Sequence, residues 1–226
     1  MHSSLGTELA RIGQVQAHLP AAVAVLLGLL ALGAAALPVL WQLTMHVNTI
    51  AHEGAHATMA SAVGQKVVSV TLNKDGTGLT TARGGGPAGA IVVGLAGYLG
   101  PSAFGLAAAK LIQAGHSIAV LWLAILLLAC MLVVTRSVFG VLTVVASVAG
   151  LYLIAANAPV GAQVATAYAV AWFLLLSGLR VVAEHGAKAG DAVNLRALTH
   201  VPRGFWSVIW LTGSMGALGL GAALLV

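Results

Sequence analysis

Charge is what this sequence has least of. Asp, Glu, Lys and Arg together make up 7% of its 226 residues, against roughly 25% in an ordinary soluble domain. That shortage excludes a water-soluble fold of this size. Cysteine is nearly absent too. Cys130 is the only one and lies inside an apolar run, so neither an intrachain disulfide nor a thiolate metal cluster is expected, and the residue reads as buried and inert. No stretch has the form of a cleavable signal peptide, because the first apolar run begins near Leu19 and is too long for a signal h-region. The net charge of +5 does not point to nucleic acid, since the basic residues sit at the ends of apolar runs, where they set membrane topology.

What is present is apolar surface. Apolar types make up 60% of the chain and the mean hydropathy is +1.01. Several runs approach the ~20 residues that a spanning helix needs. The 28 glycines suit close helix packing in lipid. Spans are predicted at 19–40, 43–63, 87–111 (interrupted at Gly100-Pro101), 117–134, 138–156, 162–183 and 207–226. Between the second and third, "KVVSVTLNKDGTGLTTA" places β-branched residues around Asp75-Gly76. This reads as a hairpin over 66–83, lying at the membrane surface or against protein because hydrocarbon does not accept an open strand edge. The fold class is therefore an all-α polytopic membrane protein of about seven transmembrane helices with a small membrane-surface β-hairpin after the second. Residues 1–18 read as a cytosolic tail with a surface helix. Residues 19–226 read as a single membrane-embedded domain, with a polar connection at 184–204.

Basic residues orient the chain. With seven spans and the N-terminus inside, Arg11, Lys66, Lys74, Arg83, Arg136, Arg180, Lys188, Arg196 and Arg203 are cytoplasmic and only Lys110 is external. The expectation is a multi-pass protein of the inner (plasma) membrane, N-terminus cytoplasmic and C-terminus external.

The chemistry is concentrated in the second span, as His52-Glu53-Gly54-Ala55-His56. Histidines four residues apart lie on one helix face and can hold one metal ion, and the adjacent glutamate reaches a water on that ion. Chance matches to so short a pattern are common in soluble chains. In a membrane helix an ionisable group is expensive and usually functional, and Glu53 is the only acidic residue well inside any predicted span. A catalytic zinc normally takes three protein ligands. His46 lies about 80° around the helix and about 15 Å along it from His56, too far to be the third. Asp191, His185 and Glu184 all follow the sixth span on the right side, and the residues alone leave the choice among them open. Gly97, Gly100 and Pro101 read as close packing or a kink, and Tyr98 as interfacial or site-lining.

These features resemble the site-2 protease family of intramembrane zinc metalloproteases, in particular its compact bacterial branch without a PDZ domain. The resemblance rests on the His52–His56 motif, the strand-like segment after it, Gly97-Tyr98-Leu99-Gly100-Pro101, and Asp191 running into "NLRALTHVPRGFWSVIW". It implies a Zn2+ cofactor held by His52, His56 and Asp191, with Glu53 as general base, and a membrane-anchored protein in the lipid bilayer as substrate. Asp191 is flanked by Gly190 and Ala192 where better-known members carry Leu or Met and Gly. The oxyanion-binding asparagine of those members has no clear counterpart, Asn194 being the nearest substitute. Two other functions fit a metal-binding membrane helix: a non-proteolytic zinc protein and a metal or proton transporter. The transporter expects ionisable residues spread along a path and an inverted repeat, whereas this chain gathers them in one place.

Overall fold

The computed structural model describes residues 12–188 and 190–226. Two helices, α1 (Ala21–Ala36) and α2 (Pro38–Ala62), lead into a hairpin of β1 (Lys66–Leu72) and β2 (Gly78–Arg83). Six more follow: α3 (Gly86–Gln113), α4 (Ser117–Val134), α5 (Val138–Asn157), α6 (Val160–His185), α7 (Gly190–Thr199) and α8 (Arg203–Leu225).

Five helices, α3, α4, α5, α6 and α8, are long and apolar enough to cross a membrane. The expected count of seven is not met, because the first two expected spans do not each qualify. The 16 residues of α1 rise only about 24 Å at 1.5 Å per residue, short of a ~30 Å hydrocarbon core. The longer α2 carries His46, Asn48, Thr49, His52, Glu53 and His56, which lower its hydropathy. Together the two pass the same test as a pair bent by 97°, a broken span or a re-entrant segment, which gives up to six crossings. Pro38 opens α2 at its first position, where its missing N–H costs nothing. Arg180 of α6 holds the bend: its guanidinium donates to the Ala35 carbonyl at the end of α1, lies 4.2 Å over the Trp41 ring and pairs with Glu184 at 3.2 Å. Trp41 is thus a partner within the protein.

The bent pair changes the topology. Gln16 donates its N–H to Gly115 in the α3–α4 turn, and its side chain accepts from Ile118. The segment before α1 therefore lies at the α3–α4 end of the bundle, whereas seven separate spans would put it at the hairpin end. α8 runs parallel to α3, with Trp210 donating to the Leu95 carbonyl, and ends with Leu225 packed in the cluster that contains Ile112. Both ends of the described chain thus lie opposite the hairpin. The expected surface helix of the tail falls largely on residues 1–11, outside the described residues.

Small residues let the bundle close. A Cβ at Gly105 would meet the Ala171 carbonyl at 3.0 Å, and one at Gly178 would meet Ser102 Oγ at 2.4 Å, so α3 and α6 touch backbone to backbone. α3 passes Pro101 without ending, where an interruption was expected. Cys130 is exposed on α4 rather than buried; its apolar neighbours face outward with it.

The hairpin forms as expected, antiparallel from Lys66↔Arg83 to Leu72↔Gly78 with an irregularity between Val67 and Ser69. Asp75 accepts from the Thr77 hydroxyl (2.7 Å) and amide (3.0 Å), which hold its carboxyl below its ordinary value. Gly76 takes φ +84° and its carbonyl accepts from Thr49 at 2.7 Å, which docks the turn on α2. Val70 and Leu72 bury against Ile50, Met131 and Val144. The outer edge of β1 is covered: Arg136 N–H donates to Val70 and Ser137 bonds both backbone groups of Leu72. The outer edge of β2 pairs with no strand among the described residues. Reporters fused before Gln16 and after Val226 are expected on one side of the membrane and a reporter at Asn73–Thr77 on the other; termini on opposite sides would refute the bent span.

Candidate metal centre

His52 and His56 lie one turn apart on α2 with their rings edge-on, and Asp191 faces them from the first turn of α7. The expected polar connection at 184–204 is largely this short helix, and its N-terminal position suits a carboxylate, since the dipole there is positive. Tyr98, Ala192, Leu195, Trp206 and Trp210 form one buried cluster that seats α7 against α3 and α8.

The three donor atoms form an equilateral triangle. His52 Nε2 to His56 Nε2, His52 Nε2 to Asp191 Oδ2 and His56 Nε2 to Asp191 Oδ2 are each 3.2 Å. For tetrahedral zinc with bonds of about 2.0–2.2 Å, the edge between ligands is about 3.3–3.6 Å. The set of two imidazoles and one carboxylate, with one position left open, fits a catalytic zinc. His56 Nδ1–H donates to the Val93 carbonyl at 2.8 Å, which turns the Nε2 lone pair toward the other two donors. Three electron-pair donors converging in this way can share one metal ion. Burial pushes the Asp191 carboxyl up, but hydrogen bonds to His52 and His56, when protonated, outweigh it and hold the group below its ordinary value.

Glu184 and His185 stand apart. Glu184 pairs with Arg180, and His185 is largely exposed. Asp191 alone of the three candidates joins the His pair. Glu53 is 4% exposed. Its Oε2 accepts from the Thr80 hydroxyl of β2 at 2.7 Å, and its Oε1 has no protein hydrogen bond among the described residues. The hairpin closes tightly on it, because a Cβ at Gly78 would come within 2.6 Å of the Glu53 carboxylate.

Two site residues escaped the sequence. Gly100 does pack, against Ala55, but Gly97 does more. A Cβ there would stand 2.3 Å from His56 Nε2 and 2.7 Å from His52 Nε2. Only glycine leaves room for both imidazoles and an ion. Thr80 was missed because its role arises from hairpin docking. Tyr98 lines the site, its ring edge-on to His52 at 4.7 Å and stacked on Trp210 at 4.7 Å. The triangle sits in a cleft of about 870 Å³ bordered by α2, β2, α3 and α7, with Asn48 and Asn194 also on its wall.

A helical His-Glu-x-x-His closed by a distant aspartate, within an apolar bundle, defines a membrane metalloprotease of the site-2 protease kind. The chain belongs to the Peptidase M50B-like family, whose profile matches residues 22–221; it is a zinc metalloendopeptidase of a multi-pass membrane protein class. Comparison with curated proteins and with solved structures returns no match.

Asp191→Ala is expected to weaken zinc retention by more than about 100-fold, since losing an outer partner alone costs roughly 10–100-fold. Glu184→Ala and His185→Ala are expected to keep it, as measured by metal content after chelator dialysis. Gly97→Ala is expected to lose zinc with Asp191 intact; normal zinc content in that variant would show that α3 yields and that the close approach is not required.

Proposed function

We propose that the enzyme hydrolyses a peptide bond of a membrane-anchored protein, with His52, His56 and Asp191 as zinc ligands and Glu53 as general base. The observation that carries this reading is the donor triangle with Glu53 fixed beside it. When bound, zinc lowers the pKa of its water and polarises the scissile carbonyl. Thr80 holds one oxygen of Glu53, which orients the other to take a proton from attacking water and to deliver it to the departing amine nitrogen. Asn48, Thr49, His52, Glu53 and His56 of α2 line the cleft, which supports a water-accessible site within an apolar bundle.

A helical substrate presents no free amide, because its backbone groups are bonded to one another. It must extend before cleavage. The open edge of β2 borders the same cleft and offers main-chain groups to which an extended segment adds as a strand. The hairpin side carries Lys66, Lys74, Arg83, Arg136, Arg180, Lys188, Arg196 and Arg203, while Lys110 lies opposite; Arg11, counted as cytoplasmic with seven spans, falls outside the described residues. By the positive-inside rule the cleft opens toward the cytoplasm and both described ends face outward. This retains the expected cytoplasmic hairpin and external C-terminus, and reverses the N-terminus. The membrane-embedded unit of 19–226 is proposed to act as one domain.

Glu53→Gln is expected to cut turnover of a membrane-embedded peptide substrate by about 10²–10⁴-fold while leaving zinc stoichiometry unchanged. Loss of zinc together with activity would show Glu53 to be a ligand or a structural residue and would contradict the assignment.

A further inference from the structure

We propose that Asn48 is a substrate-binding residue whose carboxamide grips the main chain of the peptide lying beside the metal centre. The proposal rests on the proteolytic reading above and adds the means by which the peptide is held. Asn48 lies one turn before His52 on the same face of α2, so Asn48, His52 and His56 form a ladder at four-residue spacing. It is 4% exposed.

Its neighbours have partners supplied by the fold. Thr49 donates to Gly76, Glu53 accepts from Thr80 and His56 donates to Val93. Asn48 has no hydrogen bond among the described residues, and its Oδ1 is fully enclosed. A buried amide left unpaired costs free energy that nothing in this fold returns. Other buried polar side chains are unpartnered as well, among them Ser102, Ser177 and Ser214, but of these residues only Asn48 borders the cleft. Among these residues the cleft thus offers Asn48 alone a place where a bound ligand can meet the carboxamide.

The chemistry of the group narrows the ligand. A carboxamide is neutral and presents a donor and an acceptor side by side, the complement of a peptide group rather than of an anion or a cation. An extended segment on the β2 edge exposes such groups along its length. Asn48 thus binds main chain, and its contribution is independent of the substrate's side chains.

The test is peptide binding to the zinc-loaded Glu53→Gln protein, which holds substrate without turnover, compared with the same protein carrying Asn48→Leu. The probe is a synthetic membrane-spanning peptide in detergent micelles. Loss of one hydrogen bond is expected to raise Kd about three- to tenfold. Asn48→Gln, which keeps the carboxamide, recovers part of that loss. Zinc content stays the same, and Tm holds or rises because an unpaired amide has been removed. A single backbone N-methyl group in the peptide, moved along the chain, weakens binding at one position, and at that position the Asn48→Leu protein shows no added loss. An unchanged Kd in Asn48→Leu, or a fall in Tm with loss of zinc, would overturn the proposal. The proteolytic reading is judged separately, by whether the unaltered holoenzyme cleaves the peptide.

Discussion

Three electron-pair donors held 3.2 Å apart repel one another unless a proton or a metal ion lies between them, and the rest of the structure works to keep them there. Two come from one helix and need only α-helical spacing. The third comes from a residue 135 positions beyond His56 and needs the whole bundle. Val93 turns His56, Gly97 clears the space in front of both rings, and the aromatic cluster of Tyr98, Trp206 and Trp210 fixes α7. Arg180 ties the α1–α2 bend to α6, the helix that leads toward Asp191. Contacts made far from the metal centre therefore set the distance between the His pair and the carboxylate.

In the proposed reaction the hairpin joins this centre to its peptide substrate. One face is apolar and buries Val70 and Leu72, and β1 is sealed by Thr135–Ser137. The open strand β2 is left on the cleft, with Thr80 on Glu53. In the proposed mechanism the same strand orients the base and offers pairing groups to an extended chain. A docked substrate and a correctly placed base then depend on one element, which favours hydrolysis only of a peptide that has left its helical form.

How legible each part was in the sequence follows from the range of the interaction behind it. The His52–Glu53–His56 arrangement was readable because helical spacing is local. Spacing alone did not separate Asp191 from Glu184 and His185; the family resemblance did, and the geometry agrees with it. The span count was misread because two adjacent apolar runs look alike whether they cross separately or as one bent segment. The deciding contacts, Arg180 with Ala35 and Gln16 with Gly115, are remote in sequence. The short helix α7 read as a connection because its ten residues include Asp191, Asn194 and Arg196 and are too polar to resemble a span. Gly97 was taken for helix packing, which is what most glycines in such bundles do. Asn48 carried a usable signal, a polar residue one turn before the first histidine of the motif.

The central claim is that His52, His56 and Asp191 hold one zinc ion with a position left for water. X-ray absorption at the zinc edge of the purified protein tests it most directly. The account predicts one zinc per chain, bound by two imidazole nitrogens and oxygen donors at about 2.0–2.2 Å, with no sulfur in the shell. A protein that retains no metal, or a shell with a single imidazole or none, would contradict it.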